Sequence, residues 1–131
     1  MPVRTVLVID DDEAVLAALP ALLGAPDVKV ETAATVEEAR RRIERRRPDL
    51  VITDLCFGPR TDRGGLELIS WLRDRHPRTP IVLLTAFDSP EVRAEAEVLG
   101  AAGVWSKSLG PGEFVRRSRA LLFGILERGD L

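Results

Sequence analysis

Four apolar stretches of this sequence each end in a polar side chain that could take part in chemistry. In chain order these side chains are Asp10–Asp12, Asp54, Thr85 and Lys107. The central stretch, Leu50–Leu55, lies between a charged segment and a Gly/Pro-rich loop, which is typical of a strand buried on both faces. In open α/β sheets, ligand chemistry gathers at the carboxyl ends of the strands. We therefore expect these four positions to meet at one edge of a sheet.

The combination of side chains suits a site for a divalent cation and a phosphoryl group. Adjacent carboxylates at a strand end repel each other unless a cation shares them, and Mg²⁺ prefers hard oxygen ligands of this kind. The Thr85 hydroxyl and the Lys107 ammonium could bind the oxygens of an arriving phosphoryl group, which Asp54 could carry as an aspartyl-phosphate. Each residue alone also has a structural interpretation: Asp10–Asp12 as a helix cap, Asp54 as a turn residue, Thr85 as an ordinary strand end and Lys107 as a solvated lysine.

Strand and helix patterns alternate five times along the chain, with short connections. The predicted strands are Thr5–Ile9, Val28–Ala33, Leu50–Leu55, Ile81–Thr85 and Val104–Ser106, and the last helix is predicted over Glu113–Glu127. The second strand alternates apolar and polar residues, which indicates a half-exposed strand at the sheet edge. The order predicts an α/β fold with a five-stranded parallel sheet, helices on both faces and right-handed crossovers.

Several helix boundaries carry recognisable capping residues. Thr35 with Glu38 three residues later forms a candidate capping box. Ser89 followed by Pro90 is typical of a helix start, and Gly100 is typical of a helix end. Pro20 falls inside the first helical pattern, where it is expected to kink the helix or distort its last turns.

Length and composition restrict the function classes. The 131 residues predict one domain with no output domain in this chain, and a net charge of −2 with few aromatic residues argues against direct nucleic-acid binding. The arginines between residues 40 and 47 are interpreted as the solvated face of a helix. A single cysteine, Cys56, excludes an internal disulfide and suits a reducing compartment. With no signal peptide and no membrane span, a cytoplasmic location is predicted.

Four motifs in order resemble the receiver domain of two-component response regulators, the CheY-like family. They are Val6–Asp11, Val51–Asp54, Leu83–Ala86 and Gly100–Gly103 with Lys107, and the resemblance covers nearly the whole chain. It implies a flavodoxin-like three-layer fold with strand order 2-1-3-4-5 and five helices. It also implies that the phosphoryl group is accepted by Asp54.

The same resemblance assigns a role to each remaining site residue. Asp11 becomes a direct Mg²⁺ ligand, Asp10 reaches the metal mainly through water, and the backbone carbonyl of Cys56 joins Asp54 in the ligand set. The switch hydroxyl belongs to Thr85, and the phosphate-binding ammonium belongs to Lys107. Asp12 is then a candidate for the cap of the first helix.

The chain departs from the family pattern in three places. The loop between Asp54 and Gly65 is longer by a few residues, and Ser108 follows the lysine where the family has proline, commonly after a cis bond. Val104 occupies the position of the family's rotating aromatic residue, while its neighbour Trp105 should point to the opposite side of the strand. The chemistry therefore looks intact, whereas the usual coupling between threonine and aromatic residue does not.

The resemblance implies a phosphorylation switch that is not an enzyme in the ordinary sense, although it assists its own phosphorylation and dephosphorylation. Its expected partners are a sensor histidine kinase or phosphotransfer protein and a second copy bound through the fourth helix, fifth strand and fifth helix. One alternative is a receiver-like scaffold that works without phosphorylation. The other is a phosphatase of the haloacid-dehalogenase type, because Asp10 and Asp12 also fit an Asp-x-Asp motif. Against the phosphatase, Ala14 replaces the usual Thr or Val.

Overall fold

The computed structural model describes residues 2–55, 64–86 and 88–124, and these form the predicted alternation of strands and helices. The strands are β1 (Arg4–Ile9), β2 (Val28–Ala33), β3 (Leu50–Thr53), β4 (Ile81–Thr85) and β5 (Gly103–Ser106). The helices are α1 (Glu13–Leu23), α2 (Val36–Arg45), α3 (Gly64–Arg75), α4 (Pro90–Leu99) and α5 (Pro111–Phe123). All neighbouring strands are parallel, and their order is β2-β1-β3-β4-β5. The predicted flavodoxin-like topology is confirmed.

The strand register aligns the carboxyl ends of the central strands. Ile9 at the end of β1 pairs with Thr53 at the end of β3, so the residues that follow them leave the sheet side by side. The backbone N–H of Asp54 donates to the carbonyl of Ile9 at 2.9 Å. At the other side, Thr85 at the end of β4 pairs with Ser106 at the end of β5. The expectation that the polar strand ends share one edge is therefore confirmed at the level of the backbone.

Two apolar cores lie on the two faces of the sheet because successive residues of a strand point to opposite sides. Leu7 and Ile9 of β1 pack with buried residues of α2, α3 and α4. Val6 and Val8 of the same strand pack with buried residues of α1 and α5. Since β1 is buried on both faces, each large side chain contributes about 1.5–3 kcal/mol of transfer free energy. The cores hold the sheet as a rigid support for its polar edge.

Capping residues fix three ends of two helices, α2 and α4, much as predicted. The Thr35 hydroxyl accepts the Glu38 N–H at 3.1 Å, and the Ser89 hydroxyl accepts the Val92 N–H at 3.1 Å. Gly100 ends α4 in the left-handed conformation, with φ of 103°. The capping box differs in one respect, because the Glu38 carboxylate accepts the N–H of the residue before Thr35, at 3.1 Å. The start of α2 is therefore still capped by two reciprocal hydrogen bonds, one accepted by the Thr35 hydroxyl and one accepted by the Glu38 carboxylate.

Some boundaries and burial states differ from the sequence pattern. Helix α1 includes Pro20 and ends at Leu23, in agreement with its pattern, but α5 begins at Pro111 instead of Glu113 because proline is well suited to a first helical turn. The predicted end of α5 lies outside the described residues. Leu22, one of the apolar residues at helical spacing in α1, is nevertheless 38% exposed. None of the helices in the described part of the chain is long and apolar enough to cross a bilayer.

Candidate functional site

Three carboxylates meet at the carboxyl edge of the sheet. Asp10 and Asp11 follow β1, Asp54 follows β3, and one carboxylate oxygen from each lies within 4.8 Å of the others. Their environments differ, because Asp10 is buried, Asp54 is half-buried and Asp11 is exposed. Hard oxygen ligands at this separation suit a small divalent cation with a partly open coordination sphere. The structure thus brings together the three acidic side chains that the sequence assigned to the metal site.

Asp12 is separated from this cluster by its role in helix α1. Its carboxylate accepts the Ala14 N–H at 2.9 Å and caps the helix. Its own backbone N–H donates to the carboxylate of Asp10 at 2.9 Å, which fixes the orientation of that buried side chain. The prediction that Asp12 caps the helix is confirmed, and Asp10 and Asp11 lie beside Asp54. The Asp12 carboxylate, which the alternative Asp-x-Asp motif would use together with Asp10, is bound to the Ala14 N–H in this structure.

Lys107 reaches the cluster from the end of β5. Its ammonium donates to the carboxylate of Asp10 at 2.9 Å and lies 3.5 Å from an oxygen of Asp54. The backbone N–H of Lys107 also donates to the carbonyl of Thr85 at 2.9 Å, which ties the lysine to the end of β4. Carboxylates that follow two strands, β1 and β3, therefore converge on one ammonium group that follows β5. In this arrangement Lys107 screens the repulsion between the two carboxylates.

Burial and neighbouring charge shift two pKa values within the site. Partial burial raises the pKa of Asp54, and the nearby charge of Asp10 raises it further, against the smaller opposing effect of Lys107. Burial also disfavours the charged form of Lys107, but its hydrogen bond to Asp10 and the charges of both carboxylates outweigh that effect and raise its pKa. The negative charge of Asp54 is thus poorly compensated by its neighbours, which is typical of carboxylates at functional sites.

Thr85, the predicted switch hydroxyl, ends β4 at the same edge and is fully buried. Thr85 pairs with Ser106 of β5, and its carbonyl accepts the Lys107 N–H. Thr85 is therefore hydrogen-bonded to the residue whose ammonium contacts the carboxylates. The remaining predicted ligand, the carbonyl of Cys56, lies outside the described residues.

Val104 and Trp105 lie on opposite sides of β5, as predicted. Val104 is buried in the core with α2, α3 and α4. Trp105 is buried in the core with α1 and α5. The centres of its ring and of the Phe114 ring lie 5.8 Å apart, and the two ring planes are nearly perpendicular, at 89°. Gly103 leaves room for the indole, because a Cβ there would lie 2.8 Å from its Nε1 atom. The aromatic side chain of β5 therefore faces away from α4.

Sequence reasoning missed Gly65, which positions the backbone of Asp54. Its N–H donates to the carbonyl of Leu55 at 2.8 Å. A Cβ on Gly65 would collide with the carbonyl oxygen of Asp54 and would lie 3.0 Å from the Cα of Leu55. Only glycine allows the start of α3 to approach the acceptor strand so closely. The paired glycines at positions 64 and 65 were the available signal.

The arginines of α2 make structural contacts in the described part of the chain. The guanidinium of Arg40 lies 5.4 Å from the centre of the Trp71 ring, and that of Arg75 lies 4.9 Å from it. Arg75 also pairs with Glu44 at 3.3 Å, and Arg42 lies 3.9 Å from Glu31. These contacts favour the interpretation of this run as a solvated helix face that packs on α3.

Comparison with known proteins agrees with the geometry. The profile of the family described as response regulator receiver domain matches residues 6–119. Response regulator MprA of a Mycobacterium species is 40% identical over 122 residues, which cover 93% of this chain and 51% of MprA. The alkaline phosphatase synthesis transcriptional regulatory protein PhoP of Bacillus subtilis is 33% identical over 119 residues, which cover 91% of this chain and 48% of PhoP. The chain spans about half the length of these two relatives.

A solved structure extends the likeness to three dimensions. The BeF3-activated N-terminal receiver domain of RstA from Klebsiella pneumoniae gives a TM-score of 0.82 at 29% identity, and the alignment covers 92% of this chain and 99% of that domain. Sequence profile, curated relatives and solved structure therefore lead to one assignment. The chain belongs to the family of response regulator receiver domains of two-component signalling.

Proposed function

We propose that Asp54 accepts a phosphoryl group from a sensor histidine kinase or a phosphotransfer protein. The observation that carries the proposal is the group of three carboxylates within 4.8 Å of one another, together with the Lys107 ammonium 3.5 Å from Asp54. This arrangement combines a nucleophile, a cation-binding pair of acids and a fixed positive charge. Phosphoryl transfer requires these elements, because its catalysis is mostly positioning and neutralisation of oxygen charge.

In the transfer step, a carboxylate oxygen of Asp54 attacks phosphorus and forms a new P–O bond. The P–N bond of a phosphohistidine donor breaks, and the imidazole nitrogen leaves with the electron pair. The donor ring is protonated at its other nitrogen when the bond breaks, so the products are an acyl phosphate on Asp54 and a neutral imidazole on the donor. Asp54 must be ionised to attack, and its exposed fraction of 14% for the side chain leaves one side open to the donor.

Lys107 holds the transferred group by its charge. In the structure its ammonium already lies between Asp10 and Asp54, so a short movement suffices to bind a phosphoryl oxygen on Asp54. We assign the Thr85 hydroxyl to a second phosphoryl oxygen, as the family resemblance implies. Movement of these two side chains toward the phosphoryl group would displace the ends of β4 and β5 together. The reason is that the Lys107 N–H donates to the Thr85 carbonyl at 2.9 Å.

Mg²⁺ is the metal that we propose for the acidic cluster. Asp11 and Asp54 would bind it directly and Asp10 would act mainly through water, in agreement with the oxygen ligands that this ion prefers. When bound, the ion supplies positive charge to the phosphoryl oxygens. The buried position of Asp10 and its bond from the Asp12 N–H keep this acid in place before any ion arrives.

The consequence of transfer is a shift between two conformations that controls a partner or an output domain. We do not propose turnover of a separate substrate. The solved RstA domain in its BeF3-activated form supports a phosphoryl-driven change in this family. By the same resemblance we place a homodimer contact on α4, β5 and α5, where Val98 of α4 is strongly exposed.

An apolar groove gives the phosphoryl donor a place to dock. It has a volume of about 320 Å³, lies between α1 and the start of α5, and reaches Lys107 at one end. Its walls include Leu19 and Leu22 of α1 and Phe114 of α5. A donor helix packed here would bring its phosphohistidine to the carboxyl edge of the sheet.

The decisive experiment is intact mass spectrometry after incubation with Mg²⁺ and acetyl phosphate. We expect the native chain to gain one phosphoryl group and Asp54→Asn to gain none. Asp49→Asn is the matched control, because Asp49 is also half-buried and accepts a backbone N–H, that of Thr5, but lies at the opposite edge of the sheet. Absence of any gain by the native chain would favour the scaffold that works without phosphorylation. Fast consumption of acetyl phosphate without an adduct would instead point to a phosphatase.

A further inference from the structure

The loop that carries Lys107 is closed by hydrogen bonds around the lysine. Strand β5 ends at Ser106, and the Leu109 N–H donates to the carbonyl of Ser106 at 3.0 Å, which forms a β-turn with Lys107 as its second residue. The Lys107 N–H is held by the carbonyl of Thr85. The backbone of Lys107 is therefore fixed on both sides before its side chain reaches the carboxylates.

The hydroxyl of Ser106 adds a second closure across the same lysine. Its oxygen accepts the backbone N–H of Ser108 at 3.1 Å. It also shares a hydrogen bond of 2.7 Å with the Ser108 hydroxyl, in which either oxygen can donate. A serine that binds the N–H two residues later restricts the backbone of the residue between them. That residue is Lys107.

We propose that Ser106 is a positioning residue for Lys107, and that its hydroxyl acts as a clamp that directs the ammonium to Asp10 and Asp54. The inference rests on the proposed function for the task of Lys107, but the clamp itself concerns only where the lysine lies. Ser106 does not touch the phosphoryl group in this proposal. It acts through the turn from Ser106 to Leu109.

The need for a clamp follows from the residues of the loop. A lysine side chain has four rotatable carbon–carbon bonds and loses much rotamer freedom when its ammonium is fixed. Ser108 offers no ring to restrict the turn. Gly110 lies two residues further on and directly precedes α5. With such flexible residues on its carboxyl side, the turn depends on hydrogen bonds for a single conformation. The Ser106 hydroxyl supplies two of them, to the backbone N–H and to the hydroxyl of Ser108.

The chain contains two lysines, Lys29 and Lys107, which provides an internal reference for the test. Lys29 lies near the start of β2, where its side chain is 57% exposed, whereas that of Lys107 is 26% exposed. Trace acetylation with acetic anhydride, in the presence of a metal chelator, followed by peptide mass spectrometry, gives the ratio of labelling at the two lysines. No phosphoryl donor is needed for this measurement.

We expect Ser106→Ala to raise the Lys107 to Lys29 labelling ratio about two- to tenfold, the range that corresponds to the loss of one hydrogen bond. Ser106→Thr keeps the hydroxyl and should restore the native ratio. Ser108→Ala keeps the N–H that Ser106 accepts and should change the ratio less than Ser106→Ala does. An unchanged ratio in Ser106→Ala would overturn the clamp. An equal rise in Ser106→Ala and Ser106→Thr would overturn it as well.

A second arm separates the clamp from the proposed function. With Mg²⁺ and acetyl phosphate, Ser106→Ala should acquire its phosphoryl group more slowly than the native chain by a similar factor, about two- to tenfold, with recovery in Ser106→Thr. If the native chain acquires no phosphoryl group while the labelling ratio still rises in Ser106→Ala, the proposed function fails and the clamp stands. If phosphoryl uptake occurs and the ratio does not respond, the clamp fails alone.

Discussion

Asp27 and Asp54 are the same residue type at opposite edges of one sheet, and their environments drive their pKa values in opposite directions. Asp27 comes directly before β2, and its carboxylate accepts two hydrogen bonds from Arg119 of α5, at 3.1 and 2.7 Å. Those bonds lower the pKa of Asp27. Burial and the nearby charge of Asp10 raise the pKa of Asp54. Asp27 is paired with a guanidinium, whereas Asp54 lies beside another carboxylate, that of Asp10.

The contrast extends to the neighbours of each residue. At the amino edge, Asp49 accepts the Thr5 N–H at 2.8 Å and lies 3.7 Å from Arg4. At the carboxyl edge, three carboxylates crowd within 4.8 Å. Folding alone would favour the paired arrangement at both edges, because uncompensated buried charge costs stability. We infer that the amino edge serves the fold and that the carboxyl edge is kept ready for cations and phosphate.

Removal of the Lys107 charge should have the largest effect on this contrast. We expect Lys107→Ala to slow phosphoryl capture about 100-fold, by analogy with the loss of a preorganised charged donor at a transition state. The rate of mass gain with acetyl phosphate and Mg²⁺ measures the effect. Lys29→Ala is the control, because Lys29 lies 3.8 Å from Glu31 and belongs to the edge strand β2.

A loss of similar size in both lysine variants would show that general charge, and not the position of Lys107, governs capture. Such a result would remove the distinction between the two edges of the sheet. Equal rates in the native chain and Lys107→Ala would assign the positive charge at the phosphoryl group to the metal alone.

Stability should respond to the two aspartates with opposite signs. In metal-free buffer at neutral pH, Asp54→Asn should stabilise the fold by about 1 kcal/mol and raise the Tm by a few degrees, because it removes a poorly compensated charge. Asp27→Asn should lower the Tm, because it weakens the paired bond to Arg119. Thermal unfolding followed by circular dichroism measures both changes.

The sign for Asp54 follows from its raised pKa. The penalty exists only while Asp54 is ionised, so the advantage of Asp54→Asn should shrink as the pH falls and the native carboxyl takes up its proton. If Mg²⁺ binds the acidic cluster as proposed, saturating Mg²⁺ should reverse the order, because Asp54→Asn lacks one of the proposed ligands. A drop in Tm for both variants in metal-free buffer would mean that Asp54 is as well compensated as Asp27.

Much of the fold could be predicted because local signals agreed with one another. Apolar runs marked strands β3 and β4, the alternation of Val28–Ala33 marked the edge strand, and Ser89 and Gly100 marked the ends of α4. Strand order came from the family resemblance, since no local signal sets it. Leu22 shows the limit of periodicity, because helical spacing alone does not say how wide the buried stripe of α1 is.

The site was predictable in its residue types but not in its supports. Asp10, Asp54 and Lys107 could be found because each follows a recognisable strand. The glycine pair hints at a close approach near Gly65, but its partner, Asp54, depends on where α3 docks. The same is true of the Ser106 hydroxyl, whose partner is decided by the backbone of one turn. Contacts that depend on packing or on turn geometry leave little trace in a single sequence.

The smallest expected effect concerns acid sensitivity at the paired carboxylates. Hydrogen bonds from Arg116 and then Arg117 lower the pKa of Glu113 to about 2, and Arg119 lowers that of Asp27. Both folded-state pKa values lie below the unfolded ones, so each pair stabilises the protein above the ordinary carboxyl pKa and loses that contribution as the pH falls through the folded value. The Tm difference between the native chain and Glu113→Gln, or Asp27→Asn, should therefore be constant above about pH 5 and should shrink as the pH falls below that. For Glu113 it should close as the pH approaches the folded pKa of about 2, and 0.5 M salt should reduce its amplitude. Differences that stay constant over the whole range would mean that these carboxylates contribute by packing and not by charge, and the contrast with Asp54 would then rest on the carboxyl edge alone.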